Sequence, residues 1–218
     1  ISGFCLNVPS HRQGQVFQMM PFSGDPAALR ASWSSRYDHS EALPYRYSVF
    51  LDDHEARVEL APGRKAALYA VTFEKAGAVP FILLRPKQKG SLKVEGKAVS
   101  GSDDYNGIKV YVYLEFEKTP ARIGAFAGDK PDFERTAVQD SNKPVVIGFD
   151  PSVRTVRMRY GISYISAGQA RQNLEEEAGD FDLARLAAAA RAEWNRVLGR
   201  IRVEGGTADE RAVFYTAL

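Results

Sequence analysis

The chain has 218 residues, enough for one large domain with a small extension, and its 44% hydrophobic content includes 12 Phe and 10 Tyr as bulky core material. Its 29 basic residues are dispersed and nearly balanced by 27 acidic ones, so the +2 charge gives no reason to expect nucleic acid or an anionic membrane as partner. The single cysteine, Cys5, has no internal disulfide partner and no second thiol for a Cys-rich zinc site, and no apolar run approaches the roughly 20 residues that span a bilayer.

The chain opens on Ile1-Ser2-Gly3-Phe4-Cys5-Leu6, apolar from the first residue and without the basic segment and apolar core of a signal peptide, which reads as a chain whose beginning is missing. From Gln15 to about Tyr164, short alternating segments are separated by Gly, Pro, Asn and Asp, the pattern of an antiparallel sheet protein. Tyr45, Tyr47, Val49 and Leu51 share one face of the first clear strand. Ile108, Val110, Val112, Leu114 and Phe116 do so in the second, with Tyr111 and Tyr113 on its wetter face. In the third, Val156, Met158, Tyr160, Ile162 and Tyr164 alternate with Arg157, Arg159, Gly161 and Ser163. Shorter candidates are Arg57 to Leu60, Ala67 to Phe73, Phe81 to Leu84, Ser91 to Glu95, Arg122 to Phe126 and Val145 to Phe149, a number that favours two packed sheets.

After Ser166 the period becomes helical, with Ala170, Leu174 and Ala178 on one side, Gln172 and Glu175 to Glu177 on the exposed side, and Gly179 as the stop. Asp180 is the expected N-cap of a second helix whose stripe runs through Phe181, Leu183, Leu186, Ala190, Trp194, Val197 and Leu198 to Gly199. A third helix starts at Thr207, with Asp209 and Glu210 in its first turn and Val213, Phe214 and Leu218 on an apolar side.

Several residue groups invite a chemical reading. Acid–base glycoside hydrolysis needs two carboxyl groups flanking the bond, but Asp52-Asp53 reads as a turn and Glu175 to Glu177 as a solvated helix face. Asp103-Asp104-Tyr105-Asn106-Gly107 superficially resembles a calcium loop, yet the bidentate glutamate is absent and Asn106-Gly107 suits a tight hairpin turn. His11, His39 and His54 show no metal-ligand spacing. The Ser10-His11-Arg12-Gln13-Gly14 loop is polar enough to hold sugar hydroxyls, or to be an ordinary sheet connection. Trp33 lies in a polar setting where its face can stack on sugar, whereas Trp194 fits the helical core stripe. His11, Arg12 and Trp33 are therefore the substrate-binding candidates; no catalytic or metal-ligating residue is assigned.

Gly161-Ile162-Ser163-Tyr164-Ile165-Ser166, then Gln169-Ala170-Arg171 and Asn173-Leu174-Glu175, resembles the sandwich-to-helix junction of glycoside hydrolase family 92. The resemblance continues through Phe181-Asp182, Trp194-Asn195, Leu198, Ile201 and Val203-Glu204-Gly205-Gly206-Thr207 to Phe214-Tyr215-Thr216-Ala217-Leu218. Gly3-Phe4, Tyr47-Ser48-Val49, Leu51-Asp52 and Val58-Glu59-Leu60 resemble the family's N-terminal region more loosely. The resemblance implies a mainly β chain, with an antiparallel two-sheet β-sandwich of the supersandwich type over 1–166 (N-terminally incomplete), a helical linker over 167–206 and the start of an (α/α)6 barrel over 207–218. It also implies calcium-dependent, inverting removal of terminal mannose from α-mannosides, with α-1,2 linkages as the expected class. Mannose-containing glycans and the missing catalytic domain are the implied partners, Ca2+ the implied cofactor in that domain, and a secreted or periplasmic setting the implied location. The segment alone is then inactive. The alternative from another class is a non-catalytic β-sandwich module that binds glycans or serves as structure. Where family members carry a Ser-His-Thr-His-Leu-Ser-Gly type of loop after Gly-Phe, this chain has Cys5-Leu6-Asn7-Val8-Pro9-Ser10-His11-Arg12.

Overall fold

A computed structural model describes residues 1–9, 14–31 and 34–217. The strands, in chain order, are β1 (Phe4–Cys5), β2 (Gln18–Ser23), β3 (Tyr37–Leu43), β4 (Arg46–Leu51), β5 (Ala56–Pro62), β6 (Ala66–Phe73), β7 (Pro80–Arg85) and β8 (Gly90–Glu95). They continue as β9 (Ala98–Tyr105), β10 (Ile108–Phe116), β11 (Arg122–Phe126), β12 (Pro131–Asp132), β13 (Ala137–Ser141), β14 (Val145–Gly148) and β15 (Thr155–Ser163). Three helices follow: α1 (Ala167–Glu177), α2 (Leu183–Leu198) and α3 (Ala208–Thr216).

The strands form two antiparallel sheets, one of six strands in the order β1-β2-β7-β14-β11-β12 and one of nine in the order β13-β8-β9-β10-β15-β6-β5-β4-β3. Between them lies the main core, which includes Phe17, Met19, Tyr69, Phe116, Phe149 and Met158. Period-two alternation explains which side chains enter it: Val110, Val112, Leu114 and Phe116 of β10 are buried, as are Val156, Met158, Tyr160 and Ile162 of β15. Ile108, expected to share that face, is 41% exposed at the hairpin end. The hairpin turn is Asn106-Gly107, with φ of 53° and 81°, as the two positive-φ positions of a tight turn require. Asp104 accepts the Gly107 N–H at 2.8 Å within that turn. Asp103 is buried, and its carboxylate accepts the backbone N–H groups of Lys87 and Gln88, so both acids organise the chain locally.

β7 is apolar from Pro80 to Leu84 and buried on both sides there, because a smaller cluster of Leu29, Phe81, Leu83, Phe126 and Val146 covers the outer face of the six-stranded sheet. The outer face of the nine-stranded sheet is covered by α1 and α2: Leu174, Ala178, Leu186 and Ala187 pack on Ala61, Ala66 and Leu68. Tyr111 and Tyr113 are thus half-buried rather than wet, since α1 lies against β10 and the Arg171 guanidinium sits 5.5 Å from the Tyr113 ring centre.

The helix boundaries follow their caps, with two corrections. Ser166 caps α1 and Thr207 forms a capping box with Glu210 on α3, but α2 is capped by Asp182 rather than Asp180, which instead pairs with Arg185. Trp194 was expected in the core stripe and is 45% exposed, because only the first half of α2 lies on the sheet and Leu186 and Ala187 are its buried residues. Val213 and Phe214 on α3 are exposed as well.

Gly161 sets the approach of α1. A Cβ there would collide with the Ala170 carbonyl oxygen and lie 2.9 Å from the Leu174 nitrogen, both helix backbone atoms that cannot swing aside. Gly161→Ala is expected to lower stability by on the order of 3 kcal/mol, the upper end of overpacking costs, measurable as a lower midpoint in denaturant unfolding. His54 supplies a pH prediction. Burial holds its imidazole below the ordinary 6.5, with Asp53 opposing and Lys75 reinforcing the shift. The folded state then binds this proton less tightly than the unfolded chain, so stability is full above the ordinary value and falls as pH drops from 6.5 toward the lowered one. Thermal midpoints should decline across that window, and His54→Leu should flatten the decline.

Candidate functional site

The edges of β1, β15 and α1 and the turn between β5 and β6 meet around a cleft of about 590 Å³. Its floor is apolar: Leu6, Ala67, Tyr160 and Ile162 are all buried. Polar groups ring it, from Asn7, Lys65, Ser163, Tyr164, Gln169 and Asn173.

Each wall has a structural cause. The N-terminal segment is held by the ladder of β1 on β2 and by hydrogen bonds from Leu6 N–H to Phe17 and from Val16 N–H to Asn7. The buried Tyr160 hydroxyl donates to the Leu6 carbonyl at 3.0 Å, which ties this segment to the centre of the larger sheet. At the rim, Tyr164 is 54% exposed and its hydroxyl donates to Asn7 Oδ1 at 3.3 Å. On the helix side, Asn173 is buried and donates through Nδ2 to the Ile162 carbonyl at 2.8 Å, while its Oδ1 accepts from Gln169 Nε2 at 3.2 Å. Lys65 Nζ comes within 3.5 Å of the same oxygen.

The turn that carries Lys65 is fixed by a carboxylate. Glu177 Oε2 accepts the backbone N–H groups of Arg64, Lys65 and Ala66 at 2.9, 2.9 and 3.1 Å. The expectation that Glu175 to Glu177 form one solvated face therefore holds for Glu175 and Glu176 and fails for Glu177. The helical period leaves the first two on the outside and turns the third onto the sheet. Behind the turn, Arg159 binds Glu115 through Nε and Nη2, donates to the Ala178 carbonyl at 2.6 Å and lies 5.1 Å from the Phe181 ring centre. Burial alone would raise the Glu115 carboxyl, but the Arg159 guanidinium and Tyr113 hydroxyl hold it below the usual range.

Asp53 is a turn residue that accepts from Arg36 N, Nε and Nη2. Cys5 lines the cleft half-buried; burial pushes its thiol up, and Sγ lies 2.9 Å from the Asn7 carbonyl. His39 is an exposed strand residue beside Asp38, and His54 packs against Phe22 at 5.3 Å between ring centres. The sequence candidates His11, Arg12 and Trp33 lie outside the described residues. Asn7, Lys65, Tyr164, Gln169 and Asn173 were not singled out as ligand groups; Tyr164, Gln169 and Asn173 stand in the junction motif, the one signal that pointed toward them.

Two family models match in succession: the N-terminal domain of glycosyl hydrolase family 92 over residues 1–163 and the catalytic domain of that family over residues 169–218. An inverting mannosidase of family 92 from Bacteroides thetaiotaomicron is 25% identical and superposes with a TM-score of 0.78, over 89% of this chain and 28% of that one. An α-mannosidase of the same family and bacterium, solved in complex with mannoimidazole, is 21% identical with a TM-score of 0.76, over 89% of this chain and 29% of its own. A further glycosyl hydrolase of the family is 20% identical with a TM-score of 0.80, over 99% of this chain and 33% of its own. The chain thus spans roughly three tenths of the length of these solved proteins. No curated protein matches it at a significant level.

Proposed function

The chain belongs to glycoside hydrolase family 92, and we propose that it is the sugar-orienting N-terminal segment of an exo-acting α-mannosidase. The complete enzyme removes terminal mannose from α-mannosides, α-1,2-linked ones foremost, with inversion. The observation that carries this reading is where the cleft lies. Its walls come from both family matches, with Asn7, Lys65, Tyr160 and Ser163 in the first and Gln169 and Asn173 in the second.

The lining suits a hexose. Amide, hydroxyl and ammonium groups offer donors and acceptors to ring hydroxyls, and the half-exposed Tyr164 offers a ring face above an apolar floor. Inverting hydrolysis needs two carboxyl groups about 6.5 to 9.5 Å apart, one protonating the leaving oxygen and one activating water. Among the described residues lining the cleft there is no Asp or Glu. This chain's part is to bind the sugar and hold its orientation, and the general acid and base belong to other residues of the complete enzyme. Fixed orientation lowers the barrier because the entropy of alignment is lost on binding rather than at the transition state.

Calcium is the proposed cofactor of the complete enzyme, and such an ion takes six to eight oxygen ligands. Among the described residues no group of three or more His, Cys, Asp or Glu side chains converges, so these residues do not fit it. We assign the ion's ligands to the rest of the proposed enzyme. No helix among the described residues is long and apolar enough to cross a membrane, and a secreted or periplasmic enzyme acting on mannose-containing glycans is the setting we propose.

The complete enzyme should release mannose first as the β-anomer from an α-mannoside, as followed by NMR, and lose activity to a calcium chelator. Residues 1–218 alone should show no turnover. Release of the α-anomer, full activity in chelator, or hydrolysis by the isolated segment would each overturn part of this reading.

A further inference from the structure

We propose that Glu177 is a positioning residue for sugar binding, acting through the turn between β5 and β6 without touching the sugar. The proposal rests on the reading of the cleft as the sugar-facing site.

Gln169, Asn173 and Glu177 recur at four-residue spacing and so lie along one face of α1. That face meets the cleft wall at three levels: Gln169 and Asn173 line the cleft, and Glu177 grips the turn behind it. The grip is specific. One carboxylate oxygen gathers three consecutive backbone N–H groups, a concave anion-binding arrangement that fixes the orientation of all three peptide units. Gly63 makes room for it, since a Cβ there would lie 2.6 Å from Glu177 Oε2. The neighbours on α1 do none of this: Glu175 pairs with Arg171 and Glu176 accepts from Gln172, both on the solvent side.

The turn so held contributes Gly63, Arg64, Lys65 and Ala66 to the cleft wall, whereas Glu177 is not among the lining residues. Of the two cations on the turn, Arg64 is drawn away to Glu193, with Nη2 to Oε1 at 2.5 Å. Lys65 remains directed to Asn173 and the cleft. Neutralising the carboxylate weakens all three amide bonds together and lets the turn relax by a fraction of an ångström, enough to misplace Lys65 relative to a bound sugar. The reacting groups are elsewhere, so the loss falls on binding and spares the chemical step.

The test compares kcat, KM and the thermal midpoint of the complete enzyme on an aryl α-mannoside for E177Q, E177A, E175Q and the cleft variant N7A. E177Q is expected to raise KM about tenfold with kcat within about twofold, E177A to raise KM further, and E175Q to match the parent. KM does not depend on the fraction of active enzyme, so partial misfolding of E177A leaves the comparison valid. A lower thermal midpoint with KM unchanged in both Glu177 variants would show a purely structural role and overturn the proposal. N7A separates the two levels. If N7A raises KM and E177Q does not, the positioning role alone falls; if N7A leaves KM at the parent value, the sugar-facing reading of the cleft falls with it.

Discussion

Much of this structure depends on one close contact, the seating of α1 on the outer face of β15 at Gly161. The glycine removes the one side chain that would hold the helix backbone off the sheet, and the strands beside it present Ala61, Ala66 and Leu68 to Leu174, Ala178, Leu186 and Ala187. Burying a leucine side chain contributes about 2 kcal/mol. A largely buried ion pair such as Arg159 with Glu115 roughly breaks even against its desolvation. The apolar contact therefore supplies the stability. The Arg159 network, with its bond to the Ala178 carbonyl at the end of α1, fixes where along the sheet the helix ends.

The cleft follows from that seating. With α1 in place, Asn173 reaches the Ile162 carbonyl and Glu177 reaches the turn after β5, so helix, strand end and turn become one wall. The opposite wall is the segment after β1, and Tyr160 joins the two because its side chain crosses the core to the Leu6 carbonyl. Three parts of the chain far apart in sequence, the segment after β1, the turn after β5 and the β15–α1 junction, are held by buried or backbone-directed hydrogen bonds, which rigidifies a site better than exposed side-chain pairs would.

Alternation made β10 and β15 legible in the sequence to within a residue or so, because each has one face on the core and one on something more polar. β2 was missed because Pro21 breaks the strand pattern, although β1 pairs only as far as Met19 and leaves the proline on an open edge. β9 carries no apolar alternation through Ser100-Gly101-Ser102 and runs into the Asp103 to Gly107 segment read as a turn, while ladders on both sides, with β8 and β10, override that weak propensity. β3 is exposed along its whole length and carries no burial signal at all. The same limit applies to the site. A glutamate in a run of three gives no sign of which member finds three backbone donors more than a hundred residues away in the chain. The junction motif contains Tyr164, Gln169 and Asn173 of the cleft lining, whereas His11, Arg12 and Trp33 lie outside the described residues.

The charges around the cleft bear on its chemistry. A general acid working near neutral pH needs a carboxyl whose pKa is raised by an apolar setting or a like charge. Here the nearby carboxylates are committed in the opposite sense. Glu115 is held down by Arg159, and Glu193 is brought to about 2 by Arg196 and Arg64. Glu177 is occupied by backbone amides. Carboxylates with such partners hold walls in position and are poorly suited to exchange protons with a substrate. Among the described residues the cleft lining itself holds no Asp or Glu, and its rim of hydroxyl, amide and ammonium groups is consistent with the proposed role of holding a neutral polyol.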